Sequence, residues 1–143
     1  MAVWADAILS DAASIEKFEG EINSLTSTNW DNAIAIAKEL IGDKLEVILI
    51  NQGIAVDEAG GEILLDVIAN PTVFNISSDY FVLYLIYEDL SQGSDGLYMM
   101  KAEKYIELYQ QKFNEDIKRM NLDIDLDDTT DIYRVNWQGG WSR

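Results

Sequence analysis

Twenty-six Asp and Glu side chains, with no His and no Cys among 143 residues, set the limits of the chemistry open to this chain. Nucleophilic triads and metal-activated water usually rely on His, Cys or a compact ligand set, and the first two are absent. What remains is carboxylate chemistry, either a general acid and base pair or a set of oxygen ligands for a hard cation. No pair of acids stands in a distinctive context. Gly60 and Gly61 lie between Ala59 and Glu62, without the strand and motif that would make a phosphate-binding loop of them. The residue types point away from an enzyme and require no cofactor.

One stretch has the spacing of ligands. Asp123, Asp125, Asp127 and Asp131 alternate along residues 123–131 in the manner of a calcium loop, and they are the candidate cation ligands of the chain. The sixth position of such a loop, where a sharp turn needs Gly, is Asp128. The twelfth, where a bidentate Glu closes the shell, is Arg134. The same residues fit the solvated outer face of a hairpin, so no metal is expected.

A different chemistry is carried by the last residues. Arg134, Trp137, Trp141 and Arg143 place two large aromatics and two guanidinium groups on a short, Gly-containing segment that is too small to build a core. Trp and Arg anchor protein interfaces, which makes these four the candidate contacts to a neighbouring subunit. Packing of the tail back onto its own domain is the alternative.

The elements that must position these residues read as mainly helical. Ser10 and Asp11 precede Ala12, Ile15, Phe18, Ile22 and Leu25, an amphipathic period ending near residues 24–28. Asn29 is placed to cap a second helix, in which Trp30, Ala33, Ile34, Ala37, Ile41, Leu45, Ile48 and Leu49 keep the period for about five turns. Gly42 weakens that helix by about 1 kcal/mol relative to Ala. A polar connection, 53–61, leads to a short helix over 62–69, stopped by Asn70 and Pro71. Ser77, Ser78 and Asp79 resemble a helix start, and residues 80–90 are apolar on nearly all sides, as in a central helix; a buried strand is the rival. The longest period follows, with Ala102, Tyr105, Tyr109, Phe113, Ile117 and Met120 on one face. Helical spacing alone makes that aromatic stripe core. From Leu122 the period becomes two, predicting a β-hairpin and then a loose tail. The expected architecture is one domain over 1–143: a small bundle of about five helices over 1–120, then a C-terminal hairpin and extended arm over 121–143.

Charge narrows the partners. Residues 1–100 hold three Lys against 17 acids, whereas residues 101–143 hold seven bases and nine acids, within a net charge of −16. Nucleic-acid affinity comes largely from Lys and Arg on phosphates, so direct DNA or RNA binding is not expected, and an anionic membrane surface is disfavoured for the same reason. Residues 1–11 have no basic stretch ahead of an apolar run, and the longest strongly apolar run, 80–87, is far short of the roughly 20 residues of a spanning helix. The lack of Cys gives no sign of an oxidising compartment.

Several stretches in order resemble the head-to-tail connector (adaptor or head-completion) proteins of tailed bacteriophages. They are Ile15-Glu16-Lys17-Phe18-Glu19, Trp30-Asp31-Asn32-Ala33-Ile34, Tyr84-Leu85-Ile86-Tyr87-Glu88-Asp89-Leu90, Lys101-Ala102-Glu103-Lys104-Tyr105, Tyr109 and Leu122-Asp123-Ile124-Asp125. The resemblance covers about two thirds of the chain through packing patterns with no catalytic content. It implies a helical bundle with an extended arm or hairpin. It also implies a ring of copies, commonly twelve, in the virion neck, docked on the portal protein and receiving tail or tail-terminator proteins, after synthesis in the host cytoplasm. DNA would pass through such a ring without specific binding, and an acidic lining would let it slide. A ring needs different patches on neighbouring copies, and the acidic first two thirds and less acidic last third offer such a pair. A second reading of the same composition is an acidic inhibitor, a DNA mimic or an immunity-type protein that occupies a basic partner.

Overall fold

The computed structural model describes residues 3–20, 30–51, 64–92 and 96–122. These residues are mainly helical, as the periodicity predicts. In chain order the helices are α1 (Val3–Asp6), α2 (Ala12–Glu16), α3 (Asp31–Asn51), α4 (Asn75–Ser91) and α5 (Gly96–Ile117), with 3-10 turns at Leu64–Val67 and Pro71–Phe74 before α4.

α4 and α5 form the centre, and their aromatic residues show why. Phe74 lies against Phe113 (ring centroids 5.7 Å apart), Phe81 against Tyr109 (4.6 Å), and Tyr87 against both Tyr105 (6.1 Å) and Tyr98 (5.8 Å). Residue number rises along one partner as it falls along the other, so the helices run antiparallel. Each such pair adds about 0.5–1.5 kcal/mol to the area it buries. α3 closes the bundle on α4 with Ala37, Ile41, Leu45, Ile48 and Leu49, all buried. The stripe Ala102, Tyr105, Tyr109, Phe113, Ile117 and Met120 is core throughout. The strand alternative for residues 80–90 is ruled out, since they lie within α4.

Two local expectations are corrected and one is extended. The first amphipathic helix stops at Glu16, well short of residue 25. Lys17 and Phe18 donate their amides to Ser14 and Ile15, three residues back, so the chain tightens into a turn. Gly20 favours no continuation, and Ile22 and Leu25 lie outside the described residues. Next, Ser77, Ser78 and Asp79 do not start α4. The 3-10 turn at Pro71 feeds the helix from Asn75, and the three residues are buried inside it. Finally, Gly42 is a packing notch. A Cβ there would stand 3.1 Å from Leu65 Cδ1 and 3.4 Å from the Trp4 ring, so the missing side chain is what seats α1 and the first 3-10 turn on α3.

After α5 the chain returns to the segment before α4. Leu122 and Ile68 make an antiparallel bridge, and the Ala69 amide donates to the Asn121 carbonyl at 2.8 Å. Asn70 clamps the junction, accepting from the Asn121 amide (2.7 Å) and donating to the Arg119 carbonyl (3.0 Å). This bridge is the sole β pairing among the described residues. It is not the pairing of the expected hairpin, which beyond Leu122 lies outside them together with the tail.

Candidate protein-binding surface

α3 carries two apolar faces, and only one is spent on the core. Its outer face shows Ile36, Leu40, Val47 and Ile50, each between 39% and 61% exposed. With Asp43 they take the spacing 36, 40, 43, 47, 50, alternating steps of four and three. That is the a/d register of a helix that receives another helix, over about 21 Å. A single exposed Ile needs no explanation, but a row in register over four turns does. Asp43 interrupts the row at its centre and Glu39 and Glu46 border it, with Lys44 the one base beside them. A second exposed apolar group, Leu97, Met99 and Met100, opens α5, each residue more than half exposed. It is followed by Lys101 and Lys104, whose ammonium groups stand 5.2 Å and 5.0 Å from the ring centres of Tyr87 and Tyr105.

The two surfaces differ in charge, acidic on α3 and mixed just after the α5 group, where Lys101 and Lys104 alternate with Glu103 and Glu107 and Lys101 is held by Glu19. A copy docking α3 on another copy's α3 would set Glu39, Asp43 and Glu46 against their own kind. An α3 row against an α5 group avoids that clash and sets those acids toward a turn that also carries Lys104.

The carboxylates sort into well-served and poorly served ones. Glu19, next to the turn after α2, reaches between α4 and α5. One oxygen accepts from the Tyr87 hydroxyl (2.7 Å) and the Lys101 ammonium (2.6 Å), the other from the Tyr105 hydroxyl (2.6 Å). Burial alone would raise its pKa. The bonds from Lys101, Tyr105 and Tyr87 prevail and bring it down to about 2. Asp79 is buried and accepts from Ser14 Oγ at 2.7 Å, while Ser10 and Ser78 share a hydrogen bond beside it. Burial raises its pKa, against the opposing Ser14 and Ser10 hydroxyls. Asp116 on α5 is fully buried, and no hydrogen bond reaches either oxygen. Lys112 Nζ stands 3.4 Å from Oδ1, and the nearby Ser77 hydroxyl is given to the Phe74 carbonyl. Burial pushes Asp116 up, and Lys112, with lesser help from the Ser77 hydroxyl and the Arg119 charge, only partly offsets it.

Asp123, Asp125, Asp127 and Asp131, and Arg134, Trp137, Trp141 and Arg143, all lie outside the described residues. Among the described residues no group of three or more acids could hold a metal ion, and no helix is long and apolar enough to cross a membrane. Sequence reasoning missed the α3 row, although the heptad spacing from Ile36 to Ile50 is visible beside the inner period. It missed Asp116 and the role of Glu19 because nothing in a sequence marks one acid among 26 as buried. The chain matches no protein-family model, no curated protein and no solved structure.

Proposed function

We propose that this protein is a non-enzymatic assembly subunit of a tailed-phage neck, forming a ring between portal and tail through which DNA passes. The observation that carries the reading is the exposed heptad row of α3, Ile36, Leu40, Val47 and Ile50 in helix-receiving register with Asp43 at its centre. Contact between that acid-bordered row and the Lys-bordered start of α5 on the next copy is heterologous, the kind that closes into rings. The high net negative charge suits a conduit that must not hold a polyanion. The finer architecture of the resemblance, a hairpin and arm reaching a neighbour through Arg134, Trp137, Trp141 and Arg143, belongs to the same proposal.

The test is electron microscopy and native mass spectrometry of the purified chain, alone and mixed with the portal protein of the same phage, across a range of salt. Rings are expected at least with the portal present. The double substitution Ile36→Asp with Val47→Asp should abolish them while leaving circular dichroism unchanged, because both side chains already face water. A chain that stays monomeric with and without portal, or rings formed as readily by the double variant, would overturn the reading.

A further inference from the structure

A cleft of about 680 Å³ opens between the segment before α2, the start of α4 and the end of α5. Its size falls within the usual range for binding sites, about 300–1,000 Å³. Its charged lining is balanced: Asp11, Asp79 and Asp116 against Lys17, Lys112 and Arg119. Net attraction is therefore not what would select a ligand.

Hydrogen bonding is more selective. Asn75 Oδ1 and both Asp116 oxygens are buried acceptors without a hydrogen-bond partner, Asp116 being held by the Lys112 ammonium alone, at 3.4 Å, and both residues line the cleft. The mouth is apolar, with Ile8 71% and Ile76 41% exposed next to Val73. Three buried acceptors under an apolar collar call for a ligand that brings several N–H donors on an aliphatic stem. Guanidinium has five N–H donors in a planar fork that meets a carboxylate two-on-two, and its stem packs on apolar surface. A metal ion is a poorer match, since the described residues offer no group of three acids to hold one.

We infer that this cleft receives an arginine side chain of a partner protein, the guanidinium against Asp116 and Asn75 and the stem against Ile8 and Ile76. The volume exceeds that of one side chain and leaves room for the residues on either side of the arginine. The site is separate from the α3 row and is read without any ring being formed.

The test is a titration of the ¹⁵N-labelled full chain with blocked arginine (acetyl and methylamide ends), blocked citrulline as its uncharged isostere, and free arginine. Saturable shifts at Ile8, Asn75, Ile76 and Asp116 are expected with blocked arginine at about millimolar Kd, with citrulline at least about tenfold weaker. Asp116→Asn should weaken binding about tenfold or more while raising the melting temperature, a combination that a purely structural acid would not give. Lys112→Ala should tighten binding, since it removes the competing cation. Absence of shifts, equal binding of citrulline, or unchanged binding by Asp116→Asn would overturn the inference. Binding of free arginine with rejection of the blocked form would overturn the partner-protein source.

Discussion

Glu19 and Asp116 are both carboxylates in the same small bundle, and their surroundings are opposite. Glu19 holds the turn after α2 to α4 and α5 through three donors, one of them charged. Asp116 sits deeper, with no hydrogen bond and one ammonium at 3.4 Å. Burial opposes ionisation at both, and the donors decide the outcome, down to about 2 for Glu19 and upward for Asp116. Full service of a carboxylate marks a structural clasp. A buried carboxylate left unserved marks a place where stability is lower than the fold could reach, which is where function is to be sought.

The largest expected effect is loss of the clasp. Glu19→Ala removes the common acceptor of Tyr87, Tyr105 and Lys101 and should destabilise by about 2–4 kcal/mol in chemical denaturation, since hydrogen bonds to a charged group contribute about 1.5–3 kcal/mol. The pH dependence has a definite sign. Glu19 has a folded-state pKa of about 2, below its ordinary 4.5, so its contribution is complete above pH 4.5 and is lost as pH falls from there toward 2. The stability gap between the wild type and Glu19→Gln should narrow over that window, and a gap that stays constant would show that the donors act on packing alone.

Asp116→Asn should move stability the other way, by about 1 kcal/mol at neutral pH, because it removes a buried and poorly compensated charge. The pKa of Asp116 lies above its ordinary 3.8, so the folded protein takes up its proton first. The wild type therefore regains stability relative to the variant as pH falls through the raised value, a slope opposite to that of Glu19. Thermal melts of both variants from neutral to acid pH separate the two carboxylates. Slopes of the same sign would break the comparison.

The same contrast explains what was legible in the sequence. Ala102 to Met120 are in phase at 3.6 residues per turn, and a stripe of that phase has one low-energy place to go, against another helix. The core of α5 and the central position of α4 could therefore be read directly. The end of α2 could not, because Phe18 and Ile22 continue the period; what stops the helix is a turn at Lys17 and Phe18 beside a Glu19 whose donors are 68 to 86 residues away in sequence. Gly42 reads locally as a helix weakener, and its use appears only when Trp4 and Leu65 are brought onto it. The α3 row was legible and was hidden by the stronger inner period of the same helix. The cleft was not, since Asn75, Asp79 and Asp116 lie on helices that only tertiary packing brings together.

Tyr109 supplies the smallest expected effect and a control on the whole scheme. Its ring stacks on Phe81 and Phe113 and carries Lys44 at 5.1 Å from its centre, yet its hydroxyl is buried and has no hydrogen-bond partner. Burial raises its pKa, so the group is a neutral phenol over the accessible pH range. Tyr109→Phe keeps the stacking and deletes a desolvated hydroxyl, and it should change stability by less than about 1 kcal/mol, in the stabilising direction. Tyr87→Phe and Tyr105→Phe differ from it only in giving up a bond to Glu19, so each should destabilise by about 1–2 kcal/mol. Equal effects of the three substitutions in urea titrations would mean that ring packing sets their energies and that the Glu19 clasp adds nothing beyond it.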